Sequence, residues 1–169
     1  MQTTNIKLYT MSYSEVKTYL VAALFIAGNI ALPQLCHLMP QGGMIWLPIY
    51  FFTLIGAYKY GWKVGYITAV ASPLLNHLMF GMPAAAVLAP ILVKSTILAL
   101  VAGYTAMHTK RVSLLLMAGI VATYQIVGGL FEWVIADFDA AMQDFRLGLP
   151  GMALQIVGGY LFIKYLLRK

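Results

Sequence analysis

Charge is what this sequence has least of. Only 9% of its 169 residues are Asp, Glu, Lys or Arg, where a soluble domain carries roughly 25%. With 62% of the residues hydrophobic, too little polar surface remains to clothe a water-facing domain, and a soluble fold is excluded. Cysteine is nearly absent: Cys36 stands alone, so no internal disulfide and no cysteine metal spacing can form, and it reads as a small buried apolar residue. Three scattered histidines argue against a catalytic metal, which takes several convergent protein ligands. The phosphate-cradling pattern G-x-x-x-x-G-K-[ST] is missing, so no ATP hydrolysis is expected of this chain. Ser72, Ser95 and the histidines are nucleophile and base types, yet no G-x-S-x-G occurs. Glu132 is the one acid inside an expected span, which leaves no carboxylate pair for acid–base work. No catalytic residue and no bound cofactor are therefore expected.

What is present is a series of long uncharged runs: 18–58, 64–93, 95–109, 112–131 and 147–163. A membrane-crossing helix needs roughly 20 mostly apolar residues. The first run is broken at Pro40-Gln41-Gly42-Gly43 and the second at Gly81-Met82-Pro83, both strong turn signals. The expectation is an all-α, polytopic membrane protein: a six-transmembrane-helix bundle, one integral membrane domain over 1–169, with helices at about 17–39, 44–59, 62–80, 84–107, 112–135 and 149–167. The first helix is longer than a signal-peptide core and follows a polar stretch, so it is expected to be retained. With the N-terminus in the cytoplasm, Lys7, Lys17, Lys59, Lys63, Lys110, Arg111, Lys164, Arg168 and Lys169 fall inside and Arg146 outside. That is the positive-inside pattern, with both termini cytoplasmic. The net charge of +6 is spread over the gaps between apolar runs rather than gathered on one face, which argues against nucleic acid. The segment 136–148 becomes the longest outer loop.

Sorted by depth, the unusual residues collect in the outer half. Pro33, Pro48, Pro73 and Pro90 are expected to kink helices there and splay them outward. Gln34, Asn76, His77, Lys94, Gln125, Glu132 and Gln155 are the candidate substrate-binding residues, because polar and ionisable groups within a bilayer are costly. Asn29 and His37 lie among them, and for both His37 and His77 a backbone-bonded interfacial role is the plainer one. Lys94 is the sharpest: at about 1.5 Å per residue it sits roughly 15 Å below the outer end of its helix. It needs an anionic partner, either Glu132 or a substrate carboxylate or phosphate. The pentapeptide Gln-Ile-Val-Gly-Gly occurs at 125–129 and again at 155–159, each copy setting a glutamine beside small residues that permit close helix packing. On the first helix Ala23, Ala27 and Ala31 recur every four residues, a stripe that lets another helix approach, from this chain or from a partner.

Six helices, an outward polar cavity and the Ala-x-x-x-Ala stripe of Ala23, Ala27 and Ala31 together resemble the substrate-binding S components of energy-coupling factor (ECF) vitamin transporters. The segments 46–65 and 149–159 also look like that family's second-to-third and sixth helices. The resemblance implies a substrate-capture subunit in a prokaryotic plasma membrane. It would take a vitamin-like micronutrient from outside and dock through the helix-one stripe on a transmembrane coupling subunit, and two cytoplasmic ATPase subunits would supply ATP-driven release. The family's lid between helices one and two would here be the short Pro40–Gly43 turn. Lys94 favours an anionic substrate. Two other readings stay open: a cell-shape scaffold of the MreD-like kind, which needs no ligand pocket, and a small stand-alone secondary transporter, against which the lack of an inverted repeat counts.

Overall fold

The computed structural model describes residues 4–5 and 8–166. Its helices are α1 (Val16–Cys36), α2 (Gly42–Trp46), α3 (Phe51–Tyr60), α4 (Trp62–Phe80), α5 (Ala85–Thr109), α6 (Leu114–Ile135), α7 (Phe138–Leu147) and α8 (Leu149–Leu161). A π-helical turn, Phe162–Leu166, prolongs α8. Two short strands, β1 (Thr4–Asn5) and β2 (Arg111–Val112), pair antiparallel, Thr4 with Val112 and Asn5 with Arg111. Lys7, Arg168, Lys169 and residue 167 of the expected last helix lie outside the described residues.

Among the described residues three helices, α1, α5 and α6, are long and apolar enough to cross a membrane; a fourth crossing results if α7 and α8, bent by 48° at their junction, count as one broken span. These helices are compatible with a multi-pass membrane protein. The expected six crossings are not all met on length and composition. At 10 residues, α3 is roughly 15 Å long. The 19 residues of α4 include Lys63, Ser72, Asn76 and His77.

Two expectations are corrected. The helix expected over 44–59 is broken at Leu47, whose φ of 46° is left-handed. The following proline disfavours the helical region at Leu47, so α2 ends there, and Pro48 opens a new 3₁₀ turn, Pro48–Tyr50, that runs into α3. Pro48 therefore starts a helix, where its missing N–H costs nothing; Pro33, Pro73 and Pro90 do lie inside helices. The second correction is the outer loop, which contains α7. The Asp137 carboxylate accepts the Ala140 N–H at 2.7 Å and caps it. Phe138, Met142 and Phe145 form one stripe of α7, and Phe138 (50% exposed) and Phe145 (41%) face outward. That is the pattern of a helix lying in a membrane interface.

The centre of the bundle is α3. Residues Thr53 through Lys59 are all buried, enclosed by α1, α4, α5 and α8; a mostly apolar helix belongs in such a place. Gly61 (φ 98°) turns the α3–α4 hairpin, and a Cβ on Gly65 would stand 2.3 Å from Ala57 Cβ. Small residues thus let backbones approach where lipid supplies no hydrophobic drive between helices. The outer surface is aliphatic: Leu24 is 70%, Leu78 77% and Val134 82% exposed.

The N-terminal segment crosses one end of the bundle. Tyr9 N–H donates to Lys59 O at 2.9 Å, and the Tyr58 hydroxyl donates to the carbonyl of Arg111. Lys17, Lys63, Lys110, Arg111 and Lys164 lie toward this basic end. Lys59 is buried there, its Nζ 5.5 Å from the centre of the Tyr9 ring. The opposite, far end holds α2, the α4–α5 link and α7.

Candidate functional site

Toward the far end, α1, α3 and α4 are joined by buried amides and hydroxyls. Pro33 has no N–H to give to Asn29 O one turn earlier. Asn76 supplies the missing donor: its Nδ2 lies 2.9 Å from Asn29 O and 2.9 Å from Ser72 O. The Asn29 side chain donates to Thr53 Oγ1 at 2.9 Å and to Ser72 Oγ at 3.3 Å, and its Oδ1 accepts the Phe52 N–H at 3.2 Å. Gln34 reaches Asn76 Oδ1 at 3.5 Å. Fixed in this way, Asn76 is a rigid wall element, since a buried polar group with its partners filled cannot rotate without losing them.

Lys94 is 2% exposed, and its Nζ lies 2.5 Å from Glu132 Oε2 and 2.5 Å from Asp144 Oδ2. Asp144 comes from α7; the Gln125 amide also donates to its Oδ2, at 3.2 Å. So α5, α6 and α7 are tied through one ammonium. The room for it is made by Gly128, where a Cβ would fall 2.2 Å from Lys94 Cγ. The two copies of Gln-Ile-Val-Gly-Gly do parallel work. In the first, Gln125 holds Asp144 and Gly128 admits Lys94. In the second, Gln155 Oε1 accepts the Tyr124 hydroxyl at 2.9 Å, and a Cβ on Gly159 would sit 3.1 Å from Leu54.

Beside this cluster is a cavity of about 350 Å³ at the far end. Its walls are mostly apolar, from Pro33, Met44, Pro48, Val87 and Ile91, and its polar lining comes from His37, Gln41, Tyr50, Asn76 and Asp144. A mainly apolar cavity with a few placed polar groups is the common form of a small-molecule site.

Of the expected site residues, Asn76 lines the cavity, and Lys94, Gln125 and Glu132 stand behind Asp144. Gln34 touches Asn76 from α1. His77 is half-buried, with Nδ1 2.7 Å from Pro83 O, the backbone-bonded arrangement. Gln155 packs with Tyr124 in the core. Ala23, Ala27 and Ala31 are exposed on the outer face of α1, while Ala22, Phe25 and Asn29 face the bundle.

Sequence reasoning passed over Asp144 and Tyr50. The signal for Asp144 was available in the Asp137 cap and the apolar stripe that make 138–147 a helix; treated as a loop, the segment offered no reason to bring a carboxylate to Lys94. Tyr50 is hidden by the break at Leu47.

No protein-family model, curated protein or solved structure matches this chain.

Proposed function

We propose that this chain is the substrate-capture subunit of an ECF-type importer, crossing a prokaryotic plasma membrane six times with both termini in the cytoplasm. The observation that carries the reading is the far-end cavity: enclosed by α1, α2, α4, α5 and α7, mainly apolar, and finished with the fixed amide of Asn76 and the carboxylate of Asp144. A scaffold needs no such chamber.

Six crossings are reconciled with the short and polar helices by what lipid meets. On α4, Thr68, Ser72 and Asn76 are buried, whereas Leu74, Leu75 and Leu78 are exposed. Average hydropathy counts the inward residues, but lipid does not. Bundle neighbours shield α3, so it need not be long or uniformly apolar at a lipid surface. The lysines and arginines at one end of the bundle then mark the cytoplasmic face, and the cavity lies toward the outside.

In this reading the exposed Ala23–Ala27–Ala31 face of α1 docks on a membrane coupling subunit, whose two ATPase partners use ATP to drive release; the bound small molecule is a vitamin-like micronutrient. A thermal-shift screen of the purified protein against water-soluble vitamins and their precursors tests capture, because a ligand that binds only the native state raises the melting temperature by mass action. Ala27→Trp should leave that shift intact and abolish co-purification with the coupling module. Folded protein that responds to no compound favours the MreD-like scaffold; assembly surviving Ala27→Trp removes the docking face.

A further inference from the structure

The charges around Lys94 do not balance. One ammonium faces two carboxylates, Glu132 and Asp144, each at 2.5 Å, so the cluster has one more acidic group than basic. Arg146, the cation of α7, is exposed and makes no ion pair among the described residues. Tyr50 and Tyr124, buried beside the cluster, bring no positive charge, and His37 lines the cavity just past the end of α1. Glu132 is buried, whereas the Asp144 side chain is 25% exposed and opens onto the cavity, so a counter-charge for the cluster can arrive from that side.

The polar atoms left over point the same way. Gln125 spends its N–H on Asp144, and its Oε1 is buried without a hydrogen-bond partner among the described residues. Lys94 and Gln125 both bind Oδ2 of Asp144, and Asp144 is the one carboxylate lining the cavity among the described residues. Among the described residues two other buried atoms lack partners: Ser95 Oγ on α5 and Gln155 Nε2 on the Tyr124 side. The expectation of an anionic substrate rested on Lys94 being in need of a partner; with both carboxylates on it, that ground is gone.

We propose that the far-end cavity selects a cationic small molecule with an apolar body, its ammonium or equivalent group held at Asp144 and its body against Pro33, Val87 and Ile91. The inference rests on the capture reading and adds the charge of the ligand. Arrival of the cation completes the neutralisation of the cluster, so an anion of the same shape is disfavoured both by Asp144 and by the excess charge behind it.

The test uses two probes that share one aromatic body, tryptamine and indole-3-propionate, on the full chain in detergent, read by thermal shift and calorimetry. Tryptamine is expected to raise the melting temperature in a dose-dependent way, and indole-3-propionate is not. Asp144→Asn is expected to weaken tryptamine at least tenfold. That variant keeps Lys94 and Glu132 as a one-to-one pair, and its own melting curve shows whether it is folded. Tighter binding of indole-3-propionate, or tryptamine binding unchanged by Asp144→Asn in folded protein, overturns the charge inference. If the anion binds and Asn76→Leu abolishes it, the capture reading stands without the cation. Binding of neither probe at millimolar concentration to folded protein overturns the cation inference and leaves the capture reading to be decided by the vitamin screen.

Discussion

Two neighbouring glycines on α6 should respond in opposite ways to the same added methyl group. At Gly128 a Cβ would lie 2.2 Å from Lys94 Cγ and 3.3 Å from its Cβ and Cδ. The lysine stem cannot swing aside freely, because its Nζ is held at 2.5 Å by both Glu132 and Asp144. Gly128→Ala must therefore push α5 from α6 or pull the ammonium off its carboxylates. Overpacking of this kind costs about 1–3 kcal/mol, and loss of a buried pair about 3–5 kcal/mol. At Gly129 a Cβ would meet nothing within 4 Å, so Gly129→Ala gains helix propensity, at most about 1 kcal/mol. Thermal unfolding in detergent reads the difference. At roughly 2–4 °C per kcal/mol for a chain of this size, Gly128→Ala should melt several degrees below the parent and Gly129→Ala at or slightly above it. Equal melting temperatures for the two variants, or a lower one for Gly129→Ala, would refute the account of Lys94 as a pinned side chain.

Three further outcomes follow from the same structure. Lys94→Met leaves the buried Glu132 carboxylate facing Asp144 without a cation and should destabilise by about 3–5 kcal/mol, whereas Lys94→Met with Glu132→Gln and Asp144→Asn together should recover most of that, as measured by chemical unfolding. Asn76→Leu orphans Asn29 O and should cost about 1–3 kcal/mol. In a Pro33→Ala background the new N–H can serve that carbonyl, so a double-mutant cycle should show a smaller loss. In intact cells, with Cys36 changed to Ala, an impermeant maleimide should label Arg146→Cys but not Lys110→Cys; the reverse pattern would invert the proposed orientation.

The sequence by itself determined the class of this protein and the positions of its long helices. Runs of uncharged residues and the turn signals at 40–43 and 81–83 are local and need no partner to act. It also singled out Lys94, because a lysine flanked by apolar residues on one helix announces a missing counter-charge from the sequence alone. What only the tertiary structure decided is who answers Lys94. Glu132 lies on the helix that packs alongside, but Asp144 arrives on a short helix whose stripe reads as a loop when only crossings are sought, and a contact across 50 residues is set by how α7 folds back on the bundle. The break at Leu47 is likewise a tertiary matter: Pro48 permits either a kink or a fresh start, and the Asn29 amide that accepts the Phe52 N–H fixes where α3 begins. The count of charged groups at the cavity follows from these two placements, so the ligand charge proposed above was not legible until the carboxylates were counted in space.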